Sequence, residues 1–155
     1  GTYPLPEAQL DRFLLRVSLG YPTAEQEARM LADHVRGDRV LEVEPVADLA
    51  DVLAAQTATA SIEGSEPLRR YIVELLGATR ADPRIEVGAS PRAGLMLFRA
   101  AAAHAALHGR DHVLPDDVQR LARPVLAHRL MLAPGAQPEQ RDAVIADALG
   151  RISAL

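Results

Sequence analysis

Gly88-Ala89-Ser90-Pro91-Arg92-Ala93-Gly94-Leu95 is the stretch whose reading decides the fold. It spells the start of a long helix. Ser90 is a strong N-cap, because its hydroxyl can accept a hydrogen bond from an otherwise orphan N–H in the first turn. Pro91 then falls at N1, where a missing N–H costs nothing and the fixed φ is already helical. Leu95, Met96, Leu97 and Phe98 follow, then an alanine-rich run to His108, with Gly109 as the C′ residue. Arg92 at N2 is out of place, since a cation there meets the positive end of the helix dipole at a cost of roughly 0.3–1 kcal/mol. An anion held nearby would reverse that penalty, because free N–H groups and a guanidinium fork both favour phosphate. The local pattern alone favours a plainer role, with Arg92 paired to a nearby carboxylate or lying in solvent.

Outward from this helix the chain reads mostly as further helices. Thr23-Ala24-Glu25-Gln26 is a capping box opening a helix to about Arg36, with Ala28, Leu31, Ala32 and Val35 as its inner stripe and Gly37 as its stop. Residues 37–45 form a polar connector. A second helix runs from Pro45 or Val46 to about Ala58, with Leu49, Val52, Leu53 and Gln56 on one face. Residues 57–65 read as irregular, with Ile62 in a short extended contact. A third helix, Pro67 to Thr79, turns Leu68, Tyr71, Ile72, Leu75 and Leu76 inward, and Asp82-Pro83 breaks it. After the Ser90 helix, Pro115 to about Leu130 buries Val118, Leu121, Ala122, Val125 and Leu126, with Pro124 expected to kink it. Leu114 is a poor N-cap for that helix, which Asp116 and Asp117 partly offset. A sixth helix spans Glu139 to Ile152. At the other end, Pro6 starts a short helix, and the alternation of Phe13, Leu15, Val17 and Leu19 predicts a strand over 13–19 whose sheet must lie elsewhere.

Composition agrees with a helical bundle. The 155 residues are 48% hydrophobic, with two Phe and no Trp, enough for one domain or a domain with an appendage. The absence of Cys excludes disulfides and thiolate sites. All 17 basic residues are Arg, which excludes a phosphate-loop lysine and a Schiff base from this chain. A net charge of −4, with acidic residues dispersed, argues against nucleic acid as the main partner. No apolar run has the length of a membrane span, no signal-peptide pattern opens the chain, and a cytoplasmic setting is expected. The opening Gly is read as the start of a cut or expressed piece.

Candidate chemistry is sparse. His104, His108 and His112 recur every four residues, a spacing that lets two imidazoles share a metal on one helix face. Gly109 ends the helix before His112, and no carboxylate recurs on that face, so no metal site is assigned. His34 and His128 read as surface or helix-end residues. Glu25 with Glu27 and Asp116 with Asp117 read as solvated first turns rather than acid/base pairs. No Gly-rich phosphate loop, nucleophile elbow or dinucleotide fingerprint occurs.

The run Gly1-Thr2-Tyr3-Pro4-Leu5-Pro6-Glu7-Ala8-Gln9-Leu10-Asp11-Arg12-Phe13 closely resembles a signature of the MoxR family of AAA+ ATPases. Gly88-Ala89-Ser90-Pro91-Arg92-Ala93, Gly109-Arg110-Asp111-His112-Val113 and Pro115-Asp116-Asp117-Val118 are similar to its later blocks, in the same order over about residues 1–132. Leu114 departs from the Thr expected before Pro115. The resemblance implies a two-part ATPase, an α/β nucleotide-binding core followed by an all-helical lid. Residues 1–22 then correspond to the end of the core, 23–133 to the lid and 134–155 to a C-terminal helix.

The fold expected is mainly α, a helical bundle of AAA+ lid type preceded by a short helix and one strand left over from the core. By resemblance, Arg12 is an arginine finger reaching the ATP of a neighbouring subunit, and Arg92 is sensor 2, touching the ATP of its own subunit. A surface Arg12 paired with Glu7 or Asp11 is the local alternative. The phosphate loop and the Mg²⁺-binding acidic motif of such an enzyme would lie upstream. ATP and Mg²⁺ are therefore expected in the full-length parent and no cofactor in this piece. The parent is expected to form a homo-oligomeric ring, a hexamer, and to remodel or mature client proteins, with a von Willebrand factor A domain protein as client. A stand-alone helical interaction module without a nucleotide role is the competing expectation. A helix-turn-helix DNA binder fits poorly, since no helix has a basic, base-reading face.

Overall fold

Ser65 and Ser90 open the two helices around which the core is built. The computed structural model describes residues 5–34 and 43–153. In order these form α1 (Glu7–Leu10), α2 (Ala24–His34), α3 (Leu49–Ala60), α4 (Glu66–Ala81), β1 (Ile85–Val87), α5 (Pro91–Leu107), α6 (Pro115–Leu126), a 3₁₀ turn (Ala127–Arg129), β2 (Met131–Leu132) and α7 (Gln140–Arg151). They fall into two compact units, residues 1–16 with 57–155, and residues 17–56.

The larger unit is a helical bundle with a small antiparallel sheet. Ser65 accepts the N–H of Leu68 at 3.2 Å, and Ser90 accepts that of Ala93 at 3.1 Å, so both helices start on a side-chain cap. From α4, Leu68, Tyr71, Ile72, Leu75 and Leu76 are all buried, as their spacing predicts. From α5, Leu97 is buried with Ala93, Gly94, Ala100, Ala101, Ala102 and Ala105, small side chains that let α6 approach closely. Val118, Ala122, Val125 and Leu126 of α6 are buried opposite, while Leu121 is half-buried. Helix α7 adds Val144, Ile145 and Ala148 to the same core. Gly109 ends the α5 turn at φ +67°, a conformation that favours glycine.

Several features differ from the spacing argument. The pairing of β1 with β2, Ile85 opposite Leu132 and Val87 opposite Met131, joins segments too short to show periodicity. Residues 13–19 form neither strand nor helix. A strand exists only through a ladder partner, and here Arg16 N–H reaches a helix carbonyl, Pro124 O, at 2.8 Å. The expected contact near Ile62 is a single parallel bridge, Glu63 with His112. The Pro115 helix does not run to Leu130; it stops at Leu126 and tightens into the 3₁₀ turn.

In the smaller unit, α2 has its capping box, Thr23 N–H to Gln26 at 2.8 Å and Gln26 N–H to Thr23 at 3.3 Å. Helix α3 starts at Leu49 on the reciprocal pair Asp48–Asp51. Neither helix has a buried residue, so the expected inner stripes (Ala28, Leu31 and Ala32; Leu49, Val52, Leu53 and Gln56) lie exposed. Val35, Arg36, Gly37 and connector residues 38–42 lie outside the described residues.

The turn between α4 and β1 is held to α7 by charge. Asp82 accepts from Arg84 through N–H (3.0 Å), Nε (2.9 Å) and Nη2 (2.8 Å), and the same guanidinium reaches Asp147 of α7 at 2.7 Å. Hydrogen bonding from Arg84 holds the Asp82 carboxyl at about 2. Because that folded value lies below the ordinary one, the stabilisation is complete above pH ~4 and is lost as pH falls toward 2. Asp82→Asn should remove on the order of 1–2 kcal/mol of this acid dependence, read from unfolding curves between pH 2 and 6. Two glycines test the packing. A Cβ on Gly88 would lie 2.6 Å from Arg80 Cα, whereas one on Gly77 meets nothing within 4 Å. Gly88→Ala should lower stability by about 1–3 kcal/mol, and Gly77→Ala should raise it by about 0.5–1 kcal/mol, both measured by urea denaturation.

Candidate functional site

The first turn of α5 is set in place by α4. Thr79 Oγ1 donates to Leu76 O at 2.8 Å and accepts the N–H of Ala89 at 3.0 Å, while Arg80 Nε donates to Ala89 O at 2.7 Å. Gly88 gives this loop its close approach to Arg80. Ser90, the next residue but one, therefore caps α5 at a fixed position, and Arg92 projects from the first turn with its side chain exposed.

The N-terminal segment meets this turn directly. Pro6 starts α1, accepting from the N–H groups of Gln9 (2.9 Å) and Leu10 (3.1 Å), and the chain tightens through Arg12 N–H to Gln9 O at 3.1 Å. Asp11 then faces Ser90, whose hydroxyl donates to Oδ1 at 3.1 Å, with Oδ2 at 3.3 Å. Arg129, from the turn after α6, donates through Nε to the same Asp11 Oδ1 at 3.1 Å. Its guanidinium also bonds the carbonyls of Asp11, Phe13, Leu14 and Val125. The Arg129 side chain is 1% exposed. Burial pulls its pKa down, Asp11 opposes that, and the positive charge of Arg92 adds to the lowering. Two guanidiniums thus feel each other at the start of α5, with Asp11 as the ion-pair partner of the buried one.

The residues singled out in sequence fall around this point. Arg92 stands two positions after Ser90, and Arg12 follows Asp11. Both side chains are exposed, and among the described residues neither guanidinium makes a hydrogen bond or ion pair. Asp11, a local alternative partner for Arg12, is committed to Ser90 and Arg129. The side chain of Glu7, the other alternative, lies outside the described residues. Sequence reasoning missed Arg129 and the second bond of Ser90. His-Arg at a helix end signals at most a favourable dipole contact; nothing in it foretells burial against residue 11.

The histidines have other partners. His104 Nδ1 lies 2.6 Å from Asp117 Oδ1, His108 Nδ1 2.8 Å from His104 O, and His112 Nδ1 2.8 Å from Asp111 Oδ1. Among the described residues no group of three or more His, Asp or Glu is placed to hold a metal. Asp117 instead locks α5 to α6. Its carboxylate takes two bonds from Arg110 (2.7 and 2.6 Å) and caps the helix through Leu114 N–H at 2.8 Å. Burial pushes the Asp117 pKa up, but Arg110, the Leu114 N–H and His104 outweigh it and hold it well below the ordinary range. His128 Nε2 contacts Phe13 O at 3.2 Å, and burial lowers its pKa.

Residues 77–148, which include Arg92, match the AAA lid domain model. The chain is 40% identical to the uncharacterized protein YeaC of Bacillus subtilis over 98% of its own length and 48% of that protein's. It is 36% identical to Chaperone MoxR1 of Mycobacterium tuberculosis, over 85% of the chain and 37% of that protein, and 34% identical to Protein MoxR of Paracoccus denitrificans, over 93% and 48%. The chain is thus similar to the MoxR-type AAA+ ATPases over most of its own length. A crystal structure of a Cytophaga hutchinsonii protein with a provisional ATPase assignment superposes with a TM-score of 0.85 at 33% identity, covering all of this chain and 50% of the other. The chain spans about half the length of the curated MoxR-type relatives it matches.

The Asp117 lock gives a direct test of the histidine assignment. Asp117→Ala should cost about 2–4 kcal/mol, because it leaves the Leu114 N–H and the Arg110 charge without their acceptor. His108→Ala, exposed and bonded only within its own helix, should stay within about 0.5 kcal/mol. Chemical denaturation of both variants without added metal checks this.

Proposed function

We propose that this chain is the lid region, with the end of the preceding core, of a ring-forming MoxR-type ATPase, and that its exposed arginines serve two different ATP molecules. Residues 1–22 close the α/β core and 23–133 form the lid, with the 134–155 segment following. Arg92 acts as sensor 2 on the nucleotide of its own subunit, and Arg12 as a finger on the nucleotide of the next. The observation supporting this is the exposed Arg92 guanidinium in the first turn of α5, which has no partner among the described residues and opposes the helix dipole.

The residues present fit an anionic phosphate group. The start of α5 and the exposed Arg92 guanidinium favour negative charge at this point, while the Arg129 charge is already answered by Asp11. ATP with Mg²⁺ supplies the phosphoryl group whose cleavage drives the parent; the metal ligands and the backbone phosphate cradle belong to the part of the protein outside this chain. What this chain contributes is charge stabilisation. Arg92 neutralises phosphate oxygens in the ground state and during cleavage, and Arg12 supplies charge where it develops at the neighbouring site. The exposed apolar faces of α2 and α3, with Met30, Leu31, Leu49, Val52 and Leu53, are what a chain spanning half its relatives' length leaves for the remainder to cover. The ring is a homo-hexamer that remodels or matures client proteins, with a von Willebrand factor A domain protein as the client class. The name Chaperone MoxR1 of one relative supports a chaperone-like role.

The test mixes subunits of the full-length protein. Arg92→Ala should weaken nucleotide binding in the subunit carrying it. Arg12→Ala should leave binding by its own subunit nearly intact and lower hydrolysis next door, by roughly 10³–10⁵ where such fingers have been measured. Mixing Arg12→Ala subunits with subunits that keep Arg12 but have a dead phosphate loop should restore ATP turnover. Mixed rings that form and stay inactive would remove the finger role and leave Arg12 as a structural arginine of the turn after α1; the stand-alone interaction module becomes the better reading only if no phosphate loop lies upstream.

A further inference from the structure

Arg12 sits on a turn whose local bonds are few, yet a finger must be held still to act. The backbone of residues 11–14 is gripped by one side chain: Arg129 bonds the carbonyls of Asp11, Phe13 and Leu14, and its Nε reaches Asp11 Oδ1 at 3.1 Å. The same Oδ1 accepts the Ser90 hydroxyl at 3.1 Å. That hydroxyl uses its lone pair for the N–H of Ala93, at 3.1 Å, in the first turn of α5. One carboxylate oxygen and one hydroxyl therefore join the turn bearing Arg12 to the turn bearing Arg92, without a flexible linker between them.

We propose that Asp11 is a positioning residue: it braces the Arg12 turn against the first turn of the Arg92 helix, so that a shift of the helix at one nucleotide is passed to the arginine serving the next. This rests on the reading of Arg12 and Arg92 given above. Arg129 is the anchor of the brace rather than a ligand for phosphate, because its donors are spent on protein acceptors and its side chain is buried. Asp11 takes no part in the chemistry; its carboxylate faces Ser90 and Arg129. A brace centred on Oδ1, with Oδ2 at 3.3 Å from the same hydroxyl, also has a specific chemical signature. An amide oxygen in the place of Oδ1 can accept the same two bonds, whereas a methyl group can accept neither.

The experiment uses the full-length protein in mixed rings, with nucleotide affinity followed by a fluorescent ATP analogue and with amide hydrogen exchange. Asp11→Ala should leave its own subunit's affinity within about twofold and lower hydrolysis at the neighbouring site at least about tenfold. The double variant Asp11→Ala/Arg12→Ala should be no slower than Arg12→Ala alone, since Asp11 works through Arg12. Asp11→Asn keeps an acceptor for Ser90 and Arg129 but not the counter-charge of the buried guanidinium, so it should recover hydrolysis only in part, to a level above that of Asp11→Ala. Amides of Phe13, Arg16 and Ala93 should exchange faster in Asp11→Ala than in the parent.

Parental hydrolysis with unchanged exchange would overturn the proposal. So would a loss of own-site affinity like that of Arg92→Ala, or a double variant slowed by both factors. If Arg12→Ala itself has no effect on the neighbour, the finger reading fails, and exchange alone judges the brace: faster at Phe13, Arg16 and Ala93 supports it, unchanged overturns it. Should Asp11→Ala not fold, Ser90→Ala cuts the link while sparing the Asp11–Arg129 pair. Faster exchange at Phe13 and Arg16, which loss of a helix cap alone does not produce, then supports the brace, and parental exchange there overturns it.

Discussion

A buried guanidinium is tolerated only when its charge and its donors are both answered, and the Arg129 side chain sets the terms for everything at this end of the molecule. Asp11 answers the charge, and four carbonyls take the remaining donors. The carbonyls come from two places, the last turn of α6 and the stretch 11–14. A segment with a single turn of helix, α1, is thereby fixed to a bundle whose core it barely enters. Without the carboxylate, the cation would lie in low dielectric with Arg92 adding to the repulsion.

The second constraint is the short path from α4 to α5. Thr79 and Arg80 grip Ala89 from both sides, and the absence of a side chain at Gly88 allows the approach. Capping at Ser90 then follows from where the loop is held as much as from the chemistry of serine. The order of events is physical: apolar spacing buries α4, α4 seats the loop, the loop seats the cap, and the cap sets the direction of Arg92. Asp117 does the equivalent at the other end of α5, tying Arg110 and His104 to the start of α6.

Much of this was legible before any coordinates. The apolar positions of α4 and α6 and the Ser90-Pro91 start of α5 follow from helical periodicity and cap chemistry, which are local. The misplaced cation at Arg92 was legible for the same reason. Arg129 was not, because its role depends on residues 118 positions apart coming together, and no local pattern encodes that. The strand expected over 13–19 failed for a related reason: alternation marks a face, but a ladder needs a partner, and residue 16 found Pro124 O instead. The stripes of α2 and α3 were identified as apolar but not what covers them. The three-residue β1 and two-residue β2 are too short for any period to show.

Likeness to the MoxR-type ATPases gives these contacts their context, and the central claim is that two exposed arginines, on turns joined through Asp11, serve two nucleotides. A structure of the full-length ring with a non-hydrolysable ATP analogue measures this directly. The account predicts the Arg92 guanidinium within hydrogen-bond distance of the γ-phosphate in its own subunit. It predicts the Arg12 guanidinium turned toward the γ-phosphate of the adjacent subunit, with Asp11 still joined to Ser90 and Arg129. A ring in which Arg12 folds back onto its own subunit, or in which Arg92 points away from the phosphates, would contradict it.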